Sequence, residues 1–151
     1  MKAGLVIFNG IQFHDYHASR AIDWAAKNNS GLLGLFIHSA KEPPEGYVFP
    51  SDIDPAENVF NKTDAKKNNL NVIHTQVNLF ADMAKGKNVS VDTRELEDPS
   101  LKELLGFTKK AEILFLDDEY DQSFILAVTS FRLKDLVQES ACPVETVRDN
   151  R

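Results

Sequence analysis

Apolar positions along this chain follow two rhythms that take turns. Gly4 to Phe8 is a near-continuous apolar run ending at Asn9 and Gly10, which predicts a strand buried on both faces in a parallel sheet, then a turn. From His14 to Asn28 the small residues Ala18, Ala21, Ile22, Ala25 and Ala26 recur at helical spacing, and Asn28 to Gly31 supplies a stop. Leu32 to His38 predicts a second strand. Lys41 to Phe60 holds four of the six prolines, Pro43, Pro44, Pro50 and Pro55, and reads as a loop, either a lid or a connection. Leu70, Ile73, Val77, Phe80 and Ala84 then repeat at steps of three and four. They predict a second helix from about Asp64 to near Gly86.

Val89, Val91 and Thr93 alternate with polar residues, as expected of a half-covered strand near a sheet edge. Asp98, Pro99 and Ser100 open a third helix, with Ser100 and Glu103 at capping-box spacing and Leu101, Leu104 and Leu105 as the apolar face. Ile113 to Leu116 predicts a buried fourth strand. Ser123 to Gln138 predicts a fourth helix, apolar nearly all round in its first half (Phe124, Ile125, Leu126, Ala127, Val128), the mark of deep burial or of a partner surface. Val144 to Val147 predicts a last strand. It is opened by Pro143, which is tolerated at a strand's first residue or on an edge. The alternation of strands and helices predicts one doubly wound α/β domain over residues 1–151, with right-handed crossovers and no internal repeat.

Composition adds mostly exclusions. At 151 residues the chain is long enough to bury roughly two thirds of its unfolded surface. The net charge of −6, with no Lys/Arg run longer than two, argues against nucleic acid or an anionic membrane as partner. One cysteine, Cys142, excludes an internal disulfide and fits a reducing compartment, with cytoplasm as the expectation. The apolar run Ala3 to Phe8 is too short for a signal-peptide core, and no stretch approaches the ~18 apolar residues of a membrane span.

Candidate chemistry gathers after the fourth strand, at the strand ends where open α/β sheets bind ligands. Asp117, Asp118, Glu119 and Asp121 put four carboxylates into five positions. They read either as oxygen ligands for a divalent cation or as a loop whose charges face water. Bare polyphosphate is disfavoured there, because a unit charge about 6 Å from a phosphate costs ~2–3 kcal/mol at an effective dielectric near 20. His14 and His17, three apart, could share a helix face as metal ligands, but such pairs at helix starts are mostly surface residues. His38 reads as a structural residue at the sheet edge. Cys142 has no neighbouring basic cluster to activate it and reads as a packed thiol. The seven glycines never fall at the spacing of a phosphate cradle, and no serine sits in a nucleophile elbow. The chain reads as a protein that is not an enzyme and carries no cofactor.

The order of elements, Glu97-Asp98-Pro99 before a helix, Ala111 to Leu116, and the ending Glu139 to Arg148 with Cys142-Pro143-Val144 together resemble the universal stress protein family over nearly the whole chain. The resemblance implies a three-layer, five-stranded parallel sheet of the adenine nucleotide alpha hydrolase-like kind, with strand order 3-2-1-4-5. It also implies a cytoplasmic stress-response or regulatory role. Homodimers that often pair their last strands follow from it too, here through Val144, Glu145, Thr146 and Val147.

ATP-binding members of that family carry two glycines three apart, then nine residues, then Gly followed by Ser or Thr. Those positions fall on Asp117, Tyr120, Ser130 and Phe131, and none matches. Glycines let backbone N–H groups close on phosphates, whereas Asp117 adds charge and Tyr120 adds bulk. The family's first-strand aspartate aligns with Asn9, followed by Gly10, and a base-contacting valine aligns with Ile37. The resemblance therefore implies a degenerate nucleotide site at Asn9, Gly10, Ile37, Asp117, Tyr120, Ser130 and Phe131, with ATP not bound. The alternative is an adenine-nucleotide or other small-ligand binder with weak hydrolase activity that recruits a metal through Asp117, Asp118 and Asp121. A phosphorylation receiver needs acidic residues after the first strand and a late lysine. Phe8-Asn9-Gly10 and Leu116-Asp117-Asp118 do not supply them.

Overall fold

The computed structural model describes residues 3–39, 55–122 and 125–149. Its elements are β1 (Ala3–Asn9), α1 (Asp15–Lys27), β2 (Leu32–His38), α2 (Pro55–Gly86), β3 (Val91–Glu97), α3 (Leu101–Thr108), β4 (Ala111–Asp117), a 3-10 turn (Tyr120–Gln122), α4 (Leu133–Glu139) and β5 (Val144–Val147). The five strands form one parallel sheet in the order β3-β2-β1-β4-β5, as the resemblance implied.

The sheet is buried on both sides, and successive residues of each central strand supply the two cores. Val6 and Phe8 of β1, Phe36 of β2 and Phe115 of β4 face α1 and α2, where they meet Ala18, Ala21 and Ile22 and, from the longer helix, Ile73 and Phe80. Leu5, Ile7, Leu35, Ile37, Leu114 and Leu116 face the other way, toward Leu104 of α3 and Leu136 of α4. This period of two is why the strands read as unbroken apolar runs: neither face is left to water. Phe8 centres an aromatic group, stacked on Phe36 at 4.8 Å and on Phe13 at 5.1 Å between ring centroids. At the edge, β3 is only partly covered, with Val91, Thr93 and Leu96 half-buried between exposed neighbours.

The N-cap half of the capping box expected for the third helix is present. Ser100 is its N-cap, and the hydroxyl accepts the Glu103 N–H at 3.1 Å. The second helix begins earlier than its apolar spacing predicts: Pro55 to Phe60, assigned to the loop, lies inside α2. The rest of that loop, and with it the question of a lid, falls outside the described residues.

The largest departure is the fourth helix, expected over Ser123 to Gln138 and found only as Leu133–Glu139. Ile125 to Val128 is not helical. Its peptides bond sideways to the upper edge of the sheet: Ile11 N–H donates to the Ile125 carbonyl at 2.9 Å, and Ser39 N–H to the Leu126 carbonyl at 2.7 Å. Leu126 has a left-handed backbone (φ 56°), which an uninterrupted α-helix cannot contain. The apolar side chains that suggested a buried helix serve burial in an irregular strap. Its Ala127 and Val128 are buried while Ile125 is exposed.

Candidate functional site

In a sheet of this order the strand direction of winding reverses between β1 and β4, and ligands of open α/β sheets bind outside the carboxyl ends of the strands at that switch point. The chain has an open groove of about 500 Å³ there. Ile11 to His14 line it after β1, Glu119 and Gln122 after β4, and Val72 and Gln76 from α2, with Ile125 at the rim.

Asn9 ends β1 and is buried. Its side-chain amide N donates to the Val128 carbonyl at 3.1 Å, and its Oδ1 accepts the Val128 N–H at 2.8 Å. Gly10 follows with φ 63°, donates its N–H to the buried Ile37 carbonyl at 2.7 Å, and lies so close under the strap that a Cβ would sit 2.5 Å from the Ile125 carbonyl oxygen. Asn9, Gly10 and Ile37 thus come together, with the strap packed on top of them. Tyr120 and Phe131 instead turn into the core beside Leu116 and Leu136, and Ser130 is exposed. Burial, and secondarily the Asp121 charge, pushes the Tyr120 hydroxyl well above its usual pKa.

Asp117 is the polar centre on the β4 side. Although it ends a strand within an acidic run, it is buried. Its Oδ2 meets His14 Nδ1 at 2.5 Å, and its Oδ1 accepts the Tyr16 hydroxyl at 2.6 Å and the Glu119 N–H at 2.9 Å. A carboxylate only accepts, so His14 carries its proton on Nδ1 in this arrangement. Burial first, then the bond to Asp117, raises the Tyr16 pKa well above the usual phenol range, so the hydroxyl stays a donor. His14 Nε2 is left facing Glu119 Oε2 at 3.6 Å.

The remaining acidic residues divide between other tasks. Asp121 Oδ1 accepts the Leu133 N–H at 2.9 Å at the start of α4, and Asp118 lies 3.5 Å from Arg148. The loop is therefore not a set of four water-facing charges. The two histidines do not form a pair either. His14 precedes α1, whereas His17 is buried with its Nε2 at 3.2 Å from the Phe115 carbonyl. Burial lowers the His17 pKa to about 4, outweighing the opposite effect of that bond, and keeps the ring neutral. Tyr16, Gln12 and Gln76 had no sequence signal. Nothing local marks a tyrosine on a helix as the partner of a carboxylate 101 residues away.

The sequence matches no protein-family model. No curated protein matches it by sequence either. The fold is that of universal stress protein structures. One, a universal stress protein family protein from Arabidopsis thaliana with AMP bound, superposes with a TM-score of 0.58 at 14% identity, covering 99% of this chain and 93% of the other. A universal stress protein in complex with cAMP gives 0.57 at 15% identity, with 97% and 95% covered. One from Archaeoglobus fulgidus in complex with dAMP gives 0.50 at 11% identity, with 97% and 98% covered. The resemblance drawn from the residues is thus borne out as a fold. No helix among the described residues is long and apolar enough to cross a membrane.

Proposed function

We propose that this chain is a universal-stress-protein-like regulatory protein of the cytoplasm that acts as a homodimer, without ATP and without catalysis. The observation that carries the reading is the strap over the end of β1. Asn9, at the place of the family's aspartate, spends its amide on Val128, and Gly10 is packed against Ile125. A ligand entering there would have to displace backbone that is already hydrogen-bonded. On the other side of the switch point Asp117 aligns with a glycine of the family's phosphate cradle, and Glu119 places a carboxylate in the groove. Electrostatics and packing oppose a polyphosphate together.

Calorimetric titration with ATP, with and without Mg²⁺, tests this, and no heat in either condition is the expected result. Micromolar binding in either condition overturns it. Binding that needs Mg²⁺ would favour the alternative, a nucleotide binder with weak metal-dependent hydrolase activity. That alternative draws on the three nucleotide-bound neighbours and on the carboxylates after β4.

A further inference from the structure

The groove at the switch point is lined by a histidine whose ring is held by a buried carboxylate. The Asp117 carboxylate holds the Nδ1–H of His14, and Tyr16 and the Glu119 N–H occupy its other oxygen, so the imidazole is fixed in tautomer and in direction. This is the carboxylate–histidine arrangement by which proteins orient a ring whose second nitrogen binds an ion and make that nitrogen more basic. Nε2 and Glu119 Oε2 stand 3.6 Å apart. Two ligand atoms each ~2.1 Å from one ion, at that separation, subtend an angle of roughly 120° there, within reach of tetrahedral geometry.

A second feature points the same way. Gln76, on the α2 wall of the same groove, is only 5% exposed, and its Oε1 meets no donor among the described residues. Its Nε2 is directed to the Gly10 carbonyl at 3.4 Å, and the buried oxygen beside it is an acceptor that lacks a donor. Water bound to a metal ion is such a donor, polarised by the charge it binds. Among the described residues that line the groove there is no lysine or arginine.

We propose that His14 Nε2 and Glu119 Oε2 bind one divalent first-row transition-metal ion, with Asp117 as the positioning residue and water completing the shell toward Gln76. One imidazole with carboxylate and no thiolate suits Zn²⁺, Co²⁺ or Ni²⁺ better than Mg²⁺, which takes oxygen ligands. The inference is independent of the regulatory reading above and involves no nucleotide.

The test is titration of chelator-treated full-length protein with ZnCl₂ by calorimetry and with CoCl₂ by visible absorption. One ion per chain is expected, with H14Q and E119Q each weakening it at least tenfold. D117N should weaken it about 10- to 100-fold. At saturation D117N should also shift the Co²⁺ band, a change that a purely structural role would not produce. His74, whose Nδ1 lies 3.0 Å from Glu95, forms the other His–carboxylate pair among the described residues and serves as control: H74Q should bind as wild type. Absence of binding, or binding lost in H74Q and kept in H14Q and E119Q, overturns the proposal. Because Glu119 is 47% exposed, E119Q should fold even where H14Q does not.

Discussion

Asn9 and Val128, 119 residues apart in sequence, hold each other through a reciprocal pair of hydrogen bonds, amide to carbonyl and N–H to Oδ1. Only a side chain with a donor and an acceptor on one planar group can do this. An aspartate at the same place would present a carboxylate oxygen to the Val128 carbonyl and repel it. The asparagine at this position and the strap above it are in this sense one feature. Asn9, which the resemblance assigns to a degenerate nucleotide site, anchors the segment above it.

Replacing that anchor gives the first prediction. N9A leaves a buried N–H and a buried C=O of Val128 unpaired, and should cost about 2–4 kcal/mol in urea unfolding. N9D should be at least as destabilised at neutral pH. Relative to wild type at the same pH, it should recover as acid protonates the new carboxyl and restores a donor. If N9D matches wild type at pH 7, the clasp does not hold the strap.

Gly10 tests the same contact from below. In G10A the new methyl must sit 2.5 Å from the Ile125 carbonyl oxygen and 2.8 Å from the Ala127 nitrogen, both backbone atoms. Left-handed backbone alone costs a non-glycine residue about 1–2 kcal/mol. The clash should bring the loss well above that, with faster amide exchange at Ile11, whose N–H is bonded to Ile125. A loss within the strain figure, with Ile11 exchange unchanged, would mean that the strap yields freely.

The four inner and last strands were legible because burial on both faces, or an opening proline, leaves an unambiguous run over Gly4 to Phe8, Leu32 to His38, Ile113 to Leu116 and Val144 to Val147. The helix expected over Ile125 to Val128 fails for a related reason. A short apolar run shows that residues are buried, not what shape buries them. What decides the shape is where the peptide groups find partners, and those of the strap lie on Ile11, Ser39 and Asn9. The site was legible in halves. The acidic run after β4 and the histidine after β1 each drew notice, but their meeting at Asp117 and His14 is a contact across 103 residues. His17, three residues on, looked like the natural partner for His14. It turns inward because the helix face it occupies packs on Phe8.

His17 predicts how stability varies with pH. In the unfolded chain it takes up a proton as pH falls through its ordinary 6.5, whereas in the fold burial delays protonation to about 4. The stability it supplies is therefore complete above pH 6.5 and is lost as pH falls from 6.5 to 4, up to about 3 kcal/mol in all. H17Q keeps a side-chain N–H for the Phe115 carbonyl and cannot titrate. Urea midpoints across that range should fall more steeply in wild type than in H17Q. Parallel curves would show that His17 is not the group responsible.

The last prediction concerns the proposed dimer and follows from which way the β5 peptides point. Leu114 N–H donates to the Pro143 carbonyl and Asp118 N–H to the Val147 carbonyl, so residues 143, 145 and 147 turn their backbone groups toward β4. Strand geometry then directs the N–H and C=O of Val144 and Thr146 to the open edge. Glu145, which interrupts the apolar run, is held from α1 by Arg20 through bonds of 2.6 and 3.0 Å. An unpaired edge of this kind is a template for a second copy. Proline at 146 removes an outward N–H without touching the pairing to β4, and proline is tolerated on an edge for that reason. T146P should therefore be monomeric by light scattering where wild type is a dimer, with its urea midpoint close to that of the wild-type monomer. A T146P dimer would place the interface elsewhere, and a monomeric wild type would remove the dimer altogether.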